Sequence, residues 1–181
     1  MAVALAGREA LSNLLGTIAI LLDQPFRLGD FVVLGEGEQG TVTGIGPRST
    51  RIERLDGIEV SIPNANVANM KIINESAPLT EAGISVPIGV AYGSSVSEVE
   101  QALLSASQKC GYAVSEPAPS ARLVGFGYSS VEFALLVWIT HPASRPKATD
   151  QINRAICEEF RKRGIEMPFP QRDVHIRKSS D

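Results

Sequence analysis

The chain has 181 residues, enough for one domain of ordinary size or two small ones. Hydrophobic residues make up 44% and charged residues 20% of it, a globular composition that argues against disorder over the whole chain. The net charge is −3, so no basic excess indicates binding to nucleic acid, and two cysteines are too few for a disulfide scaffold.

An apolar segment with a helical pattern opens the chain, from Ala2 to Leu22. Arg8 and Glu9 interrupt it, so its uninterrupted apolar part is shorter than the ~20 residues that a bilayer-spanning helix needs. No basic region precedes the segment and no cleavage site follows it, which disfavours a secretory signal. Pro25 ends the predicted helix, because proline cannot continue the hydrogen-bond ladder.

The helical period divides this segment into an apolar face and a small, polar face. The apolar face consists of Leu11, Leu14, Leu15, Ile18 and Leu22, and the polar face consists of Glu9, Ser12, Asn13 and Gly16. Small residues allow helices to approach closely. Two interpretations stay open: a surface helix packed on its own domain, or the lower end of a membrane helix.

Short strands dominate the next 50 residues. The predicted strands are residues 30–35, 41–46, 49–55 and 58–63, with one more short strand after a turn in residues 64–76. Asp56-Gly57 is the strongest hairpin signal in the chain. Five short strands predict a small, strongly bent antiparallel sheet or barrel. Such a unit is too small to be stable by itself, so we expect it to pack on neighbours.

A linker at residues 76–80 separates this region from a second half that alternates strands and helices. Strands are predicted at 83–92, 121–127 and 131–140, and helices at Ser94–Cys110 and Lys147–Arg163. The order β-α-β-β-α is the split βαβ, ferredoxin-like pattern. The overall prediction is therefore an α+β fold with two small domains.

No constellation of residues indicates catalysis or metal binding. His141 and His175 have no Cys or Ser nucleophile in a recognisable motif, and Cys110 and Cys157 fit buried thiols of apolar helix faces. The glycines between residues 35 and 46 precede strands and not a helix, so they form no phosphate-binding loop. The sequence thus predicts no enzyme and no cofactor.

Aromatic residues of the second half do not indicate RNA binding either. Phe133 and Trp138 lie on one predicted strand, as the base-stacking aromatics of RNA-recognition motifs do. Their odd spacing places them on opposite faces of the sheet, and the basic signature of such motifs is absent. Packing is the better interpretation.

The C-terminal tail contains Pro168 and Pro170 and then an alternating segment. In that segment Val174 and Ile176 share one side, and His175 and Arg177 share the other. A single strand at the end of a chain has no local partner. It either joins the sheet of its own domain or pairs with copies from other subunits.

Three blocks of sequence together carry a resemblance to a known family. They are residues 11–32 (LSNLLGTIAILLDQPFRLGDFV), 40–67 (GTVTGIGPRSTRIERLDGIEVSIPNANV) and 164–177 (GIEMPFPQRDVHIR). In this order they resemble the small-conductance mechanosensitive channels, the MscS-like family, over essentially the whole chain. The combination is specific, whereas any one block is a weak signal.

The resemblance implies a homoheptamer on the cytoplasmic side of the inner membrane. Residues 1–25 would be the end of a pore-lining helix, 26–78 an Sm-like β domain, 79–170 a ferredoxin-like α/β domain, and 171–181 a strand of an intersubunit barrel. Its cytosolic parts would enclose a vestibule with side portals. The partners implied are other copies of the chain, a lipid bilayer contacted mainly by further helices, and ions and small solutes released on osmotic downshock.

The resemblance also assigns pore and gating residues. Leu5 matches a bulky position of the pore constriction, and Glu9 occupies a place where family members often carry a hinge glycine. Asn13 matches the family's Ser-Asn pair, where the helix leaves the pore, and the downstream bend falls near Gly16 and Thr17. The alternative interpretation of the whole chain is a soluble oligomeric module that binds RNA or protein through its β domain.

Overall fold

The computed structural model of the chain describes residues 2–172, 174 and 175, with side chains described from Gly7 onward. It divides into two compact units. The first reaches Ala82 and takes in Thr140–Arg145, and the second consists of Gly83–Ile139 and the chain from Pro146 onward. Helices and strands are both present, as the predicted α+β class requires.

The first unit, called the β unit below, begins with one long helix, and five short strands follow. Its elements are α1 (Ala2–Asp23), β1 (Phe31–Leu34), β2 (Glu38–Ile45), β3 (Ser49–Glu53), β4 (Glu59–Pro63), α2 (Asn64–Asn69) and β5 (Ile72–Asn74). The strands form one antiparallel sheet in the order β4-β3-β2-β1-β5. The predicted five-strand sheet is therefore confirmed.

Strand β2 contains a bulge and a close approach to β3, both at glycines. The register between β2 and β3 shifts between Val42 and Gly44, which is a bulge. A Cβ on Gly40 would lie 2.5 Å from the carbonyl oxygen of Glu53, so only glycine permits this approach of the two strands. The inner side of the sheet is closed by one apolar cluster, formed by Ile20, Phe26, Val32, Leu34, Val42, Ile52 and Val67.

The sequence prediction of a turn after Pro63 was wrong, because residues 64–69 form helix α2. Six residues rich in asparagine show no helical period, and asparagine has low helix propensity. Tertiary contacts stabilise α2 instead. Val67 is fully buried in the apolar cluster, and Asn64 is fully buried among polar groups that are described below.

The second unit has the predicted β-α-β-β-α order. Its elements are β6 (Ala82–Val90), α3 (Val96–Ser107), β7 (Ser120–Phe126), β8 (Val131–Ile139) and α4 (Arg145–Arg163). The strand order β6-β8-β7 places β8 in the centre, and its residues alternate between buried and less buried positions. Phe133 lies on the buried side and Trp138 on the other, so no aromatic pair forms a stacking platform on this strand.

Helices α3 and α4 cover this sheet with the apolar faces that the sequence predicts. Val99, Leu103 and Ala106 of α3 are fully buried, and Ile152, Ile156 and Phe160 of α4 are buried as well. Cys110 is buried as expected, but Cys157 is exposed. The prediction for Cys157 was wrong because Ile156, its neighbour, holds the inward position on that helical turn.

The chain leaves α4 through Gly164, whose φ of 67° is the left-handed conformation of a helix C-cap. The tail then runs beside β6, where the N–H of Ala91 donates to the carbonyl oxygen of Glu166 at 2.9 Å. Residues 171, 172, 174 and 175 belong to no helix or strand. Residues 173 and 176–181 of the predicted tail strand lie outside the described residues.

The junction between helix α1 and the β unit as a candidate functional site

Helix α1 contacts the β unit through its small, polar face and not through its leucines. Asn13, Gly16, Thr17 and Ile20 are buried, whereas Leu11, Leu14, Leu15, Ile18 and Leu22 are all exposed. Leu15, for example, keeps 57% of its surface accessible, against 4% for Asn13. The apolar stripe is therefore unpartnered in the single chain. The interpretation of α1 as an ordinary surface helix would have buried it.

Asn13 connects α1 to the first turn of α2. Its Oδ1 accepts a hydrogen bond from the N–H of Ala65 at 3.1 Å, and its Nδ2 donates to the carbonyl oxygen of Glu9 at 3.1 Å. The first N–H groups of a helix have no partner within the helix. Asn13 of α1 supplies the acceptor for one of these N–H groups of α2, so a specific hydrogen bond joins the two helices.

Thr17 and Asn64 form the centre of the junction. The Nδ2 of Asn64 donates to the Oγ1 of Thr17 at 2.7 Å and to the carbonyl oxygen of Gly46 at 2.9 Å. The Oγ1 of Thr17 in turn lies 2.9 Å from the carbonyl oxygens of Asn13 and of Pro47, to which its hydroxyl can donate. These bonds join α1, α2 and the loop between β2 and β3.

Asn64 has a partner for each of its polar groups. Its two amide protons are used as described, its Oδ1 accepts from the Oγ1 of Thr50 at 2.8 Å, and its backbone N–H donates to Arg48. Asn64 and Thr50 are both fully buried. A buried polar group is costly when it has no partner, and its hydrogen bonds are directional, so this network favours the observed arrangement of α1 on the β unit.

Gly16 allows the backbones of α1 and α2 to touch. A Cβ at this position would lie 2.6 Å from the carbonyl oxygen of Asn64 and 2.8 Å from the backbone nitrogen of Ala65. Real Cβ atoms do not approach backbone atoms so closely. Any side chain at residue 16 therefore separates the two helices and lengthens the bond between Asn13 and Ala65.

The junction has an apolar end and an open end. At the C-terminal end of α1, Ile20 is buried in the core cluster together with Phe26. At the N-terminal end a cleft of about 340 Å³ separates α1 from α2, and Arg8, Glu9 and Ser12 line its α1 side. The contact between α1 and the β unit thus loosens toward the N-terminus, beyond Asn13.

The four residues predicted for the pore and gating are distributed along α1. Asn13 and Gly16 are both in the junction, where each contacts the start of α2. Glu9 is exposed and contributes its backbone oxygen to Asn13. The side chain of Leu5 lies outside the described residues. The gating roles of all four stay predictions.

Sequence reasoning missed Thr50 and Asn64 and assigned Thr17 no contact of its own. Asn64 was part of the Pro-Asn block that carried the family resemblance, but nothing in the spacing indicated that Thr17, 47 residues away, would be its partner. The available signal was Asn64 itself, a polar residue at the start of a short segment, residues 64–69, that has no hydrophobic pattern. Only the tertiary structure shows that Thr17, Thr50 and Asn64 are hydrogen-bonded to one another.

The described residues form no group of three or more histidine, cysteine, aspartate or glutamate side chains that could hold a metal ion. His141 has a local role: its Nδ1 accepts from the N–H of Ala143 at 3.1 Å in a short 3-10 turn. Across residues 2–172, 174 and 175, no helix has both the length and the apolarity to cross a membrane.

Two family models match the chain, one on each unit. Residues 9–77 match the model described as the β-domain of mechanosensitive ion channels, and residues 84–167 match the one described as the C-terminal part of the mechanosensitive ion channel MscS. The first match begins at Glu9, so it includes the junction face of α1.

Named relatives and one solved structure agree with these matches. An MscS family protein of Haemophilus influenzae is 33% identical over 94% of the chain, and the mechanosensitive channel MscK of Escherichia coli is 32% identical over 93%. The chain spans 15% of the length of each of these two relatives. The crystal structure of Helicobacter pylori MscS in its closed state has a TM-score of 0.81 and 28% identity, covering 98% of the chain and 70% of that protein.

These matches cover both units in the order in which they occur here, and they include helix α1 of the β unit. The chain belongs to the MscS family of mechanosensitive ion channels, which are channel proteins and not enzymes.

Proposed function

We propose that this chain is the cytosolic part, with the end of the pore-lining helix, of a channel that membrane tension opens and that releases ions and small solutes on osmotic downshock. Residues 1–25 would form the end of the pore helix. Residues 26–78 would form the β domain and residues 79–170 the α/β domain of a vestibule on the cytoplasmic side of the inner membrane. Residues 171–181 would pair between subunits in a ring of seven.

The observation that carries this proposal is the division of α1 into two faces with opposite exposure. A helix that only stabilised its own domain would bury its leucines, because burial of apolar surface is the main stabilising contribution to packing. Here a polar network fixes the helix, and its apolar stripe faces away from the β unit. Such a stripe fits contact with membrane helices or lipid in a larger protein.

The junction would transmit the movement of the pore helix. Tension favours the state with the larger in-plane area, so the work of opening comes from a difference between states. A helix that is bonded at Asn13 and Thr17 moves together with α2 and the β2–β3 loop. On the N-terminal side of Asn13 a cleft separates α1 from α2. Bending would therefore concentrate near Asn13, and not near Gly16 and Thr17, where the resemblance places it.

Patch recordings of the complete protein, reconstituted in liposomes, test this function. We expect suction to open a conductance, and we expect Asn13→Ala to change the rate of closing or inactivation while the single-channel conductance stays the same. Asn69→Ala is the matched control, since Asn69 is exposed and donates only within its own helix, to Ala65 at 2.6 Å. Absence of any tension-dependent current would reject the proposal.

A further inference from the structure

Three segments of the second unit meet at one corner. The Oη of Tyr92, just beyond β6, donates to the carbonyl oxygen of Gly127 at 2.7 Å, which joins the end of β6 to the β7–β8 turn. The N–H of Gln171 donates to the Oγ of Ser129 at 3.0 Å, which joins the tail to the same turn. The turn, the end of β6 and the tail are thus neighbours.

This corner carries exposed aromatic rings. Phe126 is 73% exposed, Phe169 is 83% exposed, and Tyr128 is fully exposed. Each lies within three residues of the bond between Gln171 and Ser129, and three residues of chain span about 10 Å at most. We call these three side chains the aromatic corner.

The aromatic corner is as large as the largest apolar patch of a typical soluble chain, and such a patch often has a binding role. Fully buried aromatic side chains each remove about 150–250 Å² from water, so three rings offer on the order of 400 Å². Single soluble chains rarely expose a contiguous patch beyond a few hundred Å² without a binding role. Met167, which is about half exposed, and Val174 extend the apolar surface along the tail.

The surroundings of the aromatic corner favour a protein partner over lipid headgroups or nucleic acid. Residues 126–131 (FGYSSV) and 167–171 (MPFPQ) contain no charged side chain, and the charges that flank them are of both signs: Glu132, whose carboxylate lies beside Gly127, and Arg172. Aromatic enrichment with depletion of charge is typical of the core of a protein–protein interface. A membrane surface or a nucleic acid would instead be met by lysine and arginine.

We propose that the aromatic corner docks on a second copy of this chain. The proposal rests on the self-assembly included in the proposed function: the tail passes the corner at Gln171 and continues directly into the segment predicted to pair between subunits. An apolar surface beside that segment would be covered by the same neighbour. In a ring the contact is heterologous, so the corner of one subunit meets a different surface of the next.

Replacing Phe126, Tyr128 and Phe169 by serine together tests the proposal. We expect the wild-type chain to form its ring in native mass spectrometry, and the triple variant to need at least a tenfold higher concentration for the same assembly. The control variant combines Leu79→Ser and Val96→Ser, which remove exposed apolar side chains elsewhere. Circular dichroism establishes that each variant is folded, since none of these residues is in the core.

The possible outcomes separate the two proposals. Unchanged assembly of the triple variant overturns the role of the aromatic corner and leaves the ring standing. A wild-type chain that stays monomeric at every concentration overturns both.

A photo-reactive benzophenone residue in place of Tyr128 identifies what covers the corner. We expect cross-linked peptides that join two chains, at a position distinct from residue 128. Links only to the tail of the same chain, or no links at all, overturn the proposal, because the corner would then be covered from within or left open.

Discussion

A Cβ on Gly16 would lie 2.6 Å from the carbonyl oxygen of Asn64, which makes this the closest approach between the long helix and α2 at any glycine of α1. Gly7, on the same helix, has nothing within 4 Å of the same virtual atom. Of these two glycines of α1, only Gly16 is at a position where the neighbouring backbone leaves no room for a side chain.

Gly16→Ala and Gly7→Ala should act in opposite directions on stability. Alanine gains about 1 kcal/mol of helix propensity at either position. At residue 16 the clash with α2 outweighs this gain, and overpacking of this kind typically costs about 1–3 kcal/mol. Urea unfolding of the purified chain measures both, and equal stabilisation by the two variants would contradict the required contact.

In the complete channel the same pair of variants tests whether the contact between Gly16 and α2 affects gating. We expect Gly16→Ala to alter closing or inactivation without a change in conductance, because the constriction proposed at Leu5 would lie outside the junction. Gly7→Ala provides the comparison on the side of the helix that the β unit does not touch. If both variants have wild-type kinetics and tension sensitivity in patch recordings, Gly16 has a packing role alone.

Thr17→Val should destabilise the chain more than Thr17→Ser. Valine keeps the shape but removes the hydroxyl that accepts from Asn64 and donates to a backbone carbonyl. A buried polar group left without its partner costs about 1–3 kcal/mol, whereas serine retains the oxygen. Denaturant midpoints compare the variants, and identical midpoints would show that the hydroxyl contributes nothing to the junction.

Leu15→Ser should leave the folding of the isolated chain almost unchanged, although leucine is the more hydrophobic residue. Leu15 lies on the exposed stripe, and surface substitutions usually change stability by about 0.5 kcal/mol or less. Ile20→Ala, on the buried face, should cost about 2–5 kcal/mol. Thermal unfolding measures both, and a large loss for Leu15→Ser would mean that the stripe is packed.

Glu159 of α4 forms an acid-sensitive contact with Lys109, two residues beyond the end of α3. Its carboxylate accepts from Lys109 at 2.8 Å and also pairs with Lys162 and Arg163. The hydrogen bond from Lys109 is the main reason why the pKa of Glu159 lies below its ordinary value of 4.5. A lowered pKa stabilises the folded state above that ordinary value, and this contribution is lost as the pH falls through the folded pKa.

We therefore expect the melting temperature to decrease as the pH drops below about 4.5. In Glu159→Gln this decrease at acid pH should be smaller, and the stability at neutral pH should be lower. Glu158→Gln is the control, because Glu158 is an exposed partner of the same lysine, 3.3 Å away. Calorimetry across pH measures the three chains. An acid limb of the same slope in Glu159→Gln would assign it to other carboxylates.

Deletion of residues 173–181 should weaken assembly more than it unfolds the subunit. The buried residues of the second unit end at Phe160, so its described core does not depend on the tail. Sedimentation and calorimetry on the shortened chain separate the two effects. Intact oligomers with an unfolded subunit would place the strand in the sheet of its own domain.

Strands and helices with a clear hydrophobic period were predictable from the sequence. The alternation of β8 and the stripes of α3 and α4 indicated both the elements and their buried sides, because each packs on one apolar core. Helix α2 was not predictable, since six residues with three asparagines have neither period nor propensity and are stabilised by contacts that start elsewhere in the chain.

The sequence by itself determined that α1 is a helix with an apolar face and a small, polar face, and its motifs identified the family. Only the tertiary structure decided which face packs on the β unit. Hydropathy favours burial of the leucines, but α2 and the β2–β3 loop present backbone N–H and C=O groups that need polar partners, and Asn13, Thr17 and Asn64 supply them. Those partners lie up to 52 residues apart, so no local pattern could reveal them.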